Sequence, residues 1–438
     1  MLTELARTFA WHREGSRRSW GTKESARRLV GLVLAAVLAA SLPMLGGSAI
    51  SHAAGLKVLS IGMSFPVTGA EAEEATGELD GARLAVEEAN ARHAVPGYEL
   101  QPIILNDATT TAGGYDPAQA ATNARMFVNN PSVVAVVGPT DSGSAKAMLP
   151  ILAGARLAIV SGSTTSPDLT SPKFAAQFRA NGVTIVYFRT CANEAFVEPG
   201  MVNFLIATQK IRSIYVLDDG GAGGVGLADA FQSAALKKGI KVLGRDSLDP
   251  KEADYTTILT KIKGLRPDYL EWGGISGPGA KLAKQAYDIL PSTMLRGDGG
   301  GIYGGDFLKA AGFPAAEGWY SNSAAPHIFA TAAGRAWESR FVQRWHQEPS
   351  DYNFTTYGAG LVVVDAIARV VKSGAPVTRA NVRAAIQSTN LQTVQGPIAF
   401  DANGDLVHPP VSIYRVTHDP KYSDTDLNQF KYIGAVSP

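Results

Sequence analysis

The chain has 438 residues, 45% of them hydrophobic and 18% charged, with a formal net charge of +1. Those proportions exclude a disordered or fibrous chain, and the length exceeds what one hydrophobic core serves, so two domains or lobes are expected. A balance this near neutral leaves no electrostatic footprint for nucleic acid.

The N-terminal segment differs in kind from the rest. Seven of the first 28 residues are Lys or Arg, residues 29–42 are almost purely Leu, Val, Ala and Gly, and Ser51-His52-Ala53-Ala54 follows with small residues. This is the pattern of a secretory signal peptide, residues 1–54, cleaved near Ala53 or Ala54 to leave a mature chain in the periplasm. A membrane anchor is the alternative for the same stretch, but its small-residue exit favours the removed signal. No Cys stands near the cleavage site, so lipid anchoring is not indicated. Without residues 1–53 the chain has 33 basic and 36 acidic residues, a formal charge of −3. Its one cysteine, Cys191, cannot form an internal disulfide and reads as a small buried hydrophobe.

From residue 56 onward, apolar runs alternate with helical periodicity. Strands are predicted at 58–63, 100–106, 133–137, 157–160, 213–218, 241–244, 269–272 and 293–296, with helices at 79–92, 116–129, 227–238, 255–263 and 281–289. Alternation at this spacing means parallel sheets of the doubly wound α/β kind. The pattern occurs twice, with a break near 189–194, and then turns helical at 332–346, 357–372 and 378–387 before closing in short strands at 398–400, 411–416 and 430–433. Both lobes have their strands before the late helices begin, so these must return to cover one of them. The expected fold is two doubly wound parallel-sheet lobes joined by multiple crossovers, with 55–190 plus 325–408 as the first lobe and 191–324 plus 409–438 as the second.

In such an architecture a ligand sits between the lobes at the carboxyl ends of strands. Two adjacent strand ends carry the chemistry for it. After 133–137, Asp141-Ser142-Gly143-Ser144 opens a helix; after 157–160 come Ser163 and then Thr165-Ser166-Pro167-Asp168, with Ser166 as N-cap and Pro167 at the first position of another short helix. Unpaired backbone N–H groups at the helix starts, together with Ser and Thr hydroxyls, can hold a carboxylate without a basic residue. Ser and Thr after a strand are also ordinary turn residues, so it is their recurrence at neighbouring strand ends that points to a ligand.

A rival motif follows the fifth strand. Gly221, Gly223 and Gly226 spell G-x-G-x-x-G, with Asp246 twenty residues on, which is the pattern of an NAD-dependent enzyme. Asp218 and Asp219 stand between the strand and the first glycine, where a pyrophosphate meets repulsion, so the run reads better as a loop at the lobe interface. With no His-Glu-x-x-His, no G-x-S-x-G and no Cys pair, neither an enzyme nor a cofactor is expected. The acids Glu71, Glu73, Glu74, Glu78 and Asp80 suit either a bound cation or, preferably, a solvated loop and the first turn of a helix.

Across the mature chain these features resemble the periplasmic leucine/isoleucine/valine-binding proteins, the type I solute receptors of ABC importers. The resemblance lies in Phe65-Pro66-Val67-Thr68-Gly69, in 80–91 of the first helix, in Asn106-Asp107 followed by Asp116-Pro117, and in 138–144 and 163–170. It continues through Phe188-Arg189-Thr190, 269–274, Gly297-Asp298-Gly299, Glu317-Gly318, 352–357 and 396–405. It implies a monomeric, non-enzymatic receptor with a type I periplasmic binding protein fold, handing a small ligand to a membrane permease and its ATPase, or the same fold used as a sensor without transport. It further implies that Ser142, Ser163 and Thr165 hold the ligand head group and that Asp298 meets its amino group, unless Asp298 only caps the turn before Ile302. Where the family places aromatic residues this chain has Glu74, Ala222 or Gly223, and Ile275. The site is therefore expected to be wider or more acidic, with Glu74 and Asp298 facing a cationic or amide donor.

Overall fold

The computed structural model describes residues 56–436 apart from 70 and 410; the expected signal peptide lies outside the described residues. Five parallel strands form the first sheet: β1 (Lys57–Phe65), β2 (Tyr98–Asn106), β3 (Val133–Val137), β4 (Ala158–Ser161) and β5 (Tyr187–Arg189), in the order β2-β1-β3-β4-β5. All five residues of β3 are buried because both faces of the sheet are covered. Val137 packs towards α1 (Ala72–Ala91) and α6 (Asp351–Lys372), whereas Val136 packs towards Phe127 of α2 (Pro117–Asn129) and Leu149 of α3 (Ser142–Gly154). Period-2 alternation then puts an apolar residue on each side, and the run reads as continuously hydrophobic.

The second sheet contains β6 (Ser213–Asp218), β7 (Lys241–Ser247), β8 (Tyr269–Gly273), β9 (Leu295–Asp298), β10 (Trp319–Ser323), β11 (Val411–Val416) and β12 (Phe430–Val436). Its order is β12-β11-β10-β9-β8-β6-β7, parallel from β7 to β10 and antiparallel for the last two strands. Trp272, Trp319 and Tyr215 fill one face, and Ile214, Val216 and Phe231 the other.

The chain passes between the sheets three times: after β5 into α4 (Glu194–Phe204), after β10 towards α6, and again before β11. These crossings are bonded to one another. Ala192 N donates to the Ala324 carbonyl at 2.6 Å, Asn193 Nδ2 to Asp405 at 3.1 Å and His327 N to Ser412 Oγ at 2.8 Å.

Among the elements not foreseen from the sequence are β5, α4 and β10. The acidic stretch also departs from expectation, since α1 begins at Ala72 rather than near 79. Glu73 is exposed, but Glu78 and Asp80 are buried, so the stretch is not a solvated loop.

Candidate ligand site at the strand ends

The turn that leaves β3 requires glycine. Gly138 has φ +100°, and a Cβ there would stand 2.5 Å from the Ser64 carbonyl, so this backbone approaches β1 as no other residue permits. The turn delivers Asp141 as N-cap of α3 and Ser142 as its first residue. Ser142 Oγ accepts from Ser166 N at 3.2 Å, which joins the two strand ends directly. Ser166 precedes a short 3₁₀ turn, Pro167–Leu169, as expected, although its side chain makes no capping bond.

Ser163 Oγ donates to Glu78 Oε2 at 2.8 Å, and Thr140 Oγ1 reaches the same oxygen at 3.1 Å. Thr165 Oγ1 donates to the carboxylate of Glu194, the first residue of α4, while Glu194 N donates to the Thr165 carbonyl at 3.0 Å. Since α4 packs on the second sheet, Thr165 is tied to both lobes. Ser142, Ser163 and Thr165 therefore lie on one rim of two adjoining loops, joined by the Ser166 N to Ser142 Oγ bond and by Ser163 Oγ donating to the Thr140 carbonyl.

A buried cation holds that rim in shape. Arg189, at the end of β5, pairs with Asp405 at 2.6 Å and donates to the carbonyls of Thr164 at 2.9 Å and Ser166 at 3.1 Å and to Thr170 Oγ1 at 2.8 Å. Its guanidinium thus fixes the loop that presents Ser163 and Thr165, with its charge compensated.

Glu74 accepts from Ser350 Oγ at 2.6 Å and from Asn353 Nδ2 at 3.3 Å; burial, and the negative neighbours Asp351 and Glu73, push its carboxyl up to about 7. Asp298 ends β9 and is wholly buried, accepting from Ile302 N at 2.6 Å and Ser321 Oγ at 2.7 Å. It caps the turn before Ile302, the second of its two expected roles, and burial pushes its carboxyl up to about 7. Glu74 and Asp298 make no contact with each other and belong to opposite lobes.

Four further acids are buried near these elements; the sequence places Glu78 in the acidic stretch and Asp141 at a helix start, and does not single out Glu198 or Glu271. Glu78 is 1% exposed with Oε1 unpartnered. Asp141 Oδ2 is also buried without a partner, and burial beside Glu71 and Asp107 pushes that carboxyl up to about 7. Glu198, one turn beyond Glu194 on α4, and Glu271 of β8 are both wholly buried, and neither oxygen of either has a hydrogen-bond partner. A readable signal existed: Glu71, Glu74 and Glu78 recur at helical spacing, as do Glu194 and Glu198.

The Gly-rich run follows another rule than nucleotide binding. Gly221 is N-cap of α5 (Ala222–Lys237), and Asp219 takes the donors there, accepting from Gly221 N at 2.9 Å and Ile275 N at 3.1 Å. Asp218 pairs with Arg245 at 2.8 Å, and Asp246 with Lys261 at 2.9 Å. The carboxylate of Asp219 fills the place a pyrophosphate would need. Gly224 permits tight packing instead, since a Cβ there would meet the Gly273 carbonyl at 2.5 Å.

Two doubly wound lobes, joined by three crossings and presenting polar strand ends to one another, define the class of two-lobed solute-binding proteins. The model of the family described as "Periplasmic binding protein" matches residues 58–421, and the chain belongs to that family. It is 27% identical to the Leu/Ile/Val-binding protein BraC3 of Rhizobium johnstonii, over 82% of this chain and 91% of that protein. It is 26% identical to a leucine-, isoleucine-, valine-, threonine- and alanine-binding protein of Pseudomonas aeruginosa, over 83% and 91%. Among solved structures, the leucine-binding protein LivK of Thermotoga maritima superposes with TM-score 0.70 at 21% identity, covering 87% of this chain and 99% of that one. A solute-binding protein of R. palustris in complex with benzoate gives TM-score 0.67 at 16% identity, over 87% and 97%. Nothing in these relatives supports an NAD-dependent enzyme.

Proposed function

We propose that this protein is the periplasmic substrate receptor of an ABC importer. It captures a small polar ligand, an amino acid, amide or related carboxylate, between lobes bounded at 55–190 with 325–408 and 191–324 with 409–438. It then presents the closed form to a membrane permease and its ATPase. The observation that carries this reading is the rim at the two strand ends, where Ser142, Ser163 and Thr165 are linked and Thr165 reaches Glu194 of the other lobe. A ligand that replaces these internal partners and touches both lobes only when they are shut shifts the population towards closure by its differential affinity. Glu74 and Asp298 give the two sides of the cleft an acidic character. No bond-making chemistry is assigned to the site.

The test is a thermal-shift and calorimetry screen over amino acids, amides, ureas and aromatic acids, because binding the folded state stabilises it by mass action. Saturable binding of at least one class is expected, and loss of its uptake on deletion of the protein separates transport from sensing. Micromolar NAD binding with no response to the panel would overturn the reading.

A further inference from the structure

Two buried acids of this chain have cations: Asp405 has Arg189 at 2.6 Å and Asp218 has Arg245 at 2.8 Å. Others do not: among the described residues no Lys, Arg or His forms an ion pair with Glu74, Glu78, Glu194, Glu198 or Asp298. Glu78 meets the ligand rim with acceptor capacity left over, and Glu198 is the buried acid of the other lobe that has no cation. Glu78 takes the hydroxyls of Ser163 and Thr140 on one oxygen and leaves Oε1 bare at 1% exposure. From the other lobe, wholly buried Glu198 has the Asn322 side chain beside it but no well-formed hydrogen bond, and lies against the loop after β9, where a Cβ on Gly299 would come within 2.5 Å of its Oε1.

An uncompensated buried carboxylate is costly, and the cheapest remedy is a cation that arrives with the ligand. A compact metal ion does not fit, because no three His, Cys, Asp or Glu side chains converge for one among the described residues. A leucine-like zwitterion brings one positive nitrogen but also a carboxylate, and leaves the excess of acid unchanged.

We propose that the ligand carries a net positive charge: a basic amino acid or a related amine, with one cationic nitrogen received by Glu78 beside Ser163 and a second donor group facing Glu198. Ser142 and Thr165 remain available for a carboxylate where the ligand has one. Burial, with Glu74 and Asp141 nearby, raises the Glu78 carboxyl well above its ordinary range, so without ligand its protonated form is favoured and a cationic ligand displaces that proton. This inference rests on the receptor reading above and narrows its ligand class.

The experiment is calorimetry on the purified protein with arginine, agmatine, leucine and benzoate. Arginine or agmatine should bind about tenfold or more tightly than leucine and benzoate. Glu78→Gln should weaken the cationic ligand about tenfold or more and change the others about threefold or less, and Glu198→Gln should act in the same direction from the opposite lobe. Circular dichroism and the apo melting temperature identify a variant that merely misfolds. If leucine binds as well as arginine, or if both Gln variants leave the cationic ligand's affinity unchanged, the charge assignment is wrong while the receptor reading stands. If no member of this or the wider panel binds, both fall.

Discussion

Asp298→Asn separates the capping role of this residue from everything else it could do, because the replacement keeps its shape and removes its charge. The substituted amide retains an acceptor for Ile302 N, now 2.6 Å from the carboxylate, and its NH₂ group can donate to Ser321 Oγ at the other oxygen's 2.7 Å position. Burial raises the wild-type carboxyl from 3.8 to about 7, so its contribution is present at low pH and lost as pH rises through that interval. The sign follows from proton counts: across this window the native state holds a proton that the unfolded chain has released, so stability falls with pH. The full interval corresponds to about 4 kcal/mol, of which roughly 2 to 3 kcal/mol falls between about pH 5 and pH 8. Burial and negative neighbours also raise the Glu198 and Glu271 carboxyls well above their ordinary range. Urea denaturation of wild type and variant at both pH values, followed by tryptophan fluorescence, reads the difference. The variant should gain about 2 kcal/mol on wild type between the acid and the alkaline condition. A stability difference that is the same at both pH values would refute the argument that burial protonates Asp298.

Three further outcomes are expected. Gly162→Ala should destabilise by about 3 kcal/mol, seen as a lowered urea midpoint, because its Cβ would stand 2.0 Å from Thr356 Oγ1 and 2.5 Å from the Thr356 backbone N. Arg189→Met leaves Asp405 buried and unpaired and should cost about 3 to 5 kcal/mol. The double variant with Asp405→Asn should recover most of it in the same denaturation assay. Thr165→Ala should weaken ligand binding by about 1 to 3 kcal/mol, whereas Thr165→Ser, which keeps the hydroxyl facing Glu194, should stay close to wild type. Equal losses in both would assign the effect to the methyl group rather than the hydroxyl.

The strands easiest to read were those with a dense apolar run. Residues 133–137 are wholly apolar and buried, and 213–218 and 411–416 were bounded correctly because apolar and aromatic residues dominate them despite Ser213, Asp218, Ser412 and Arg415. Tyr187–Arg189 was missed because it is three residues long and ends in a charge, and nothing local announces that Asp405 arrives to neutralise it. Trp319–Ser323 hides its polar Ser321, Asn322 and Ser323 in the interior, against the usual association of such residues with turns. Helix Glu194–Phe204 contains Pro199 and turns Glu198 inward, which hides its periodicity. The same limit governed the site. That Ser142, Ser163 and Thr165 follow strands was legible, but buried acids on helices carry the composition of a solvent face, and only their spacing marks them.

The three crossings impose an order on the making of the molecule. The first sheet is strung by Arg189, yet one of its faces stays bare until Asp351–Lys372 has been synthesised and has come back to lie on Ala72–Ala91. A growing chain therefore cannot shut its first lobe from the N-terminal half alone, and its valine-rich strands remain unsatisfied while the second lobe is still being added. That face closes only when residues 351–372, in the last quarter of the chain, have been added, so the order of synthesis delays completion of the first lobe until the second is nearly built.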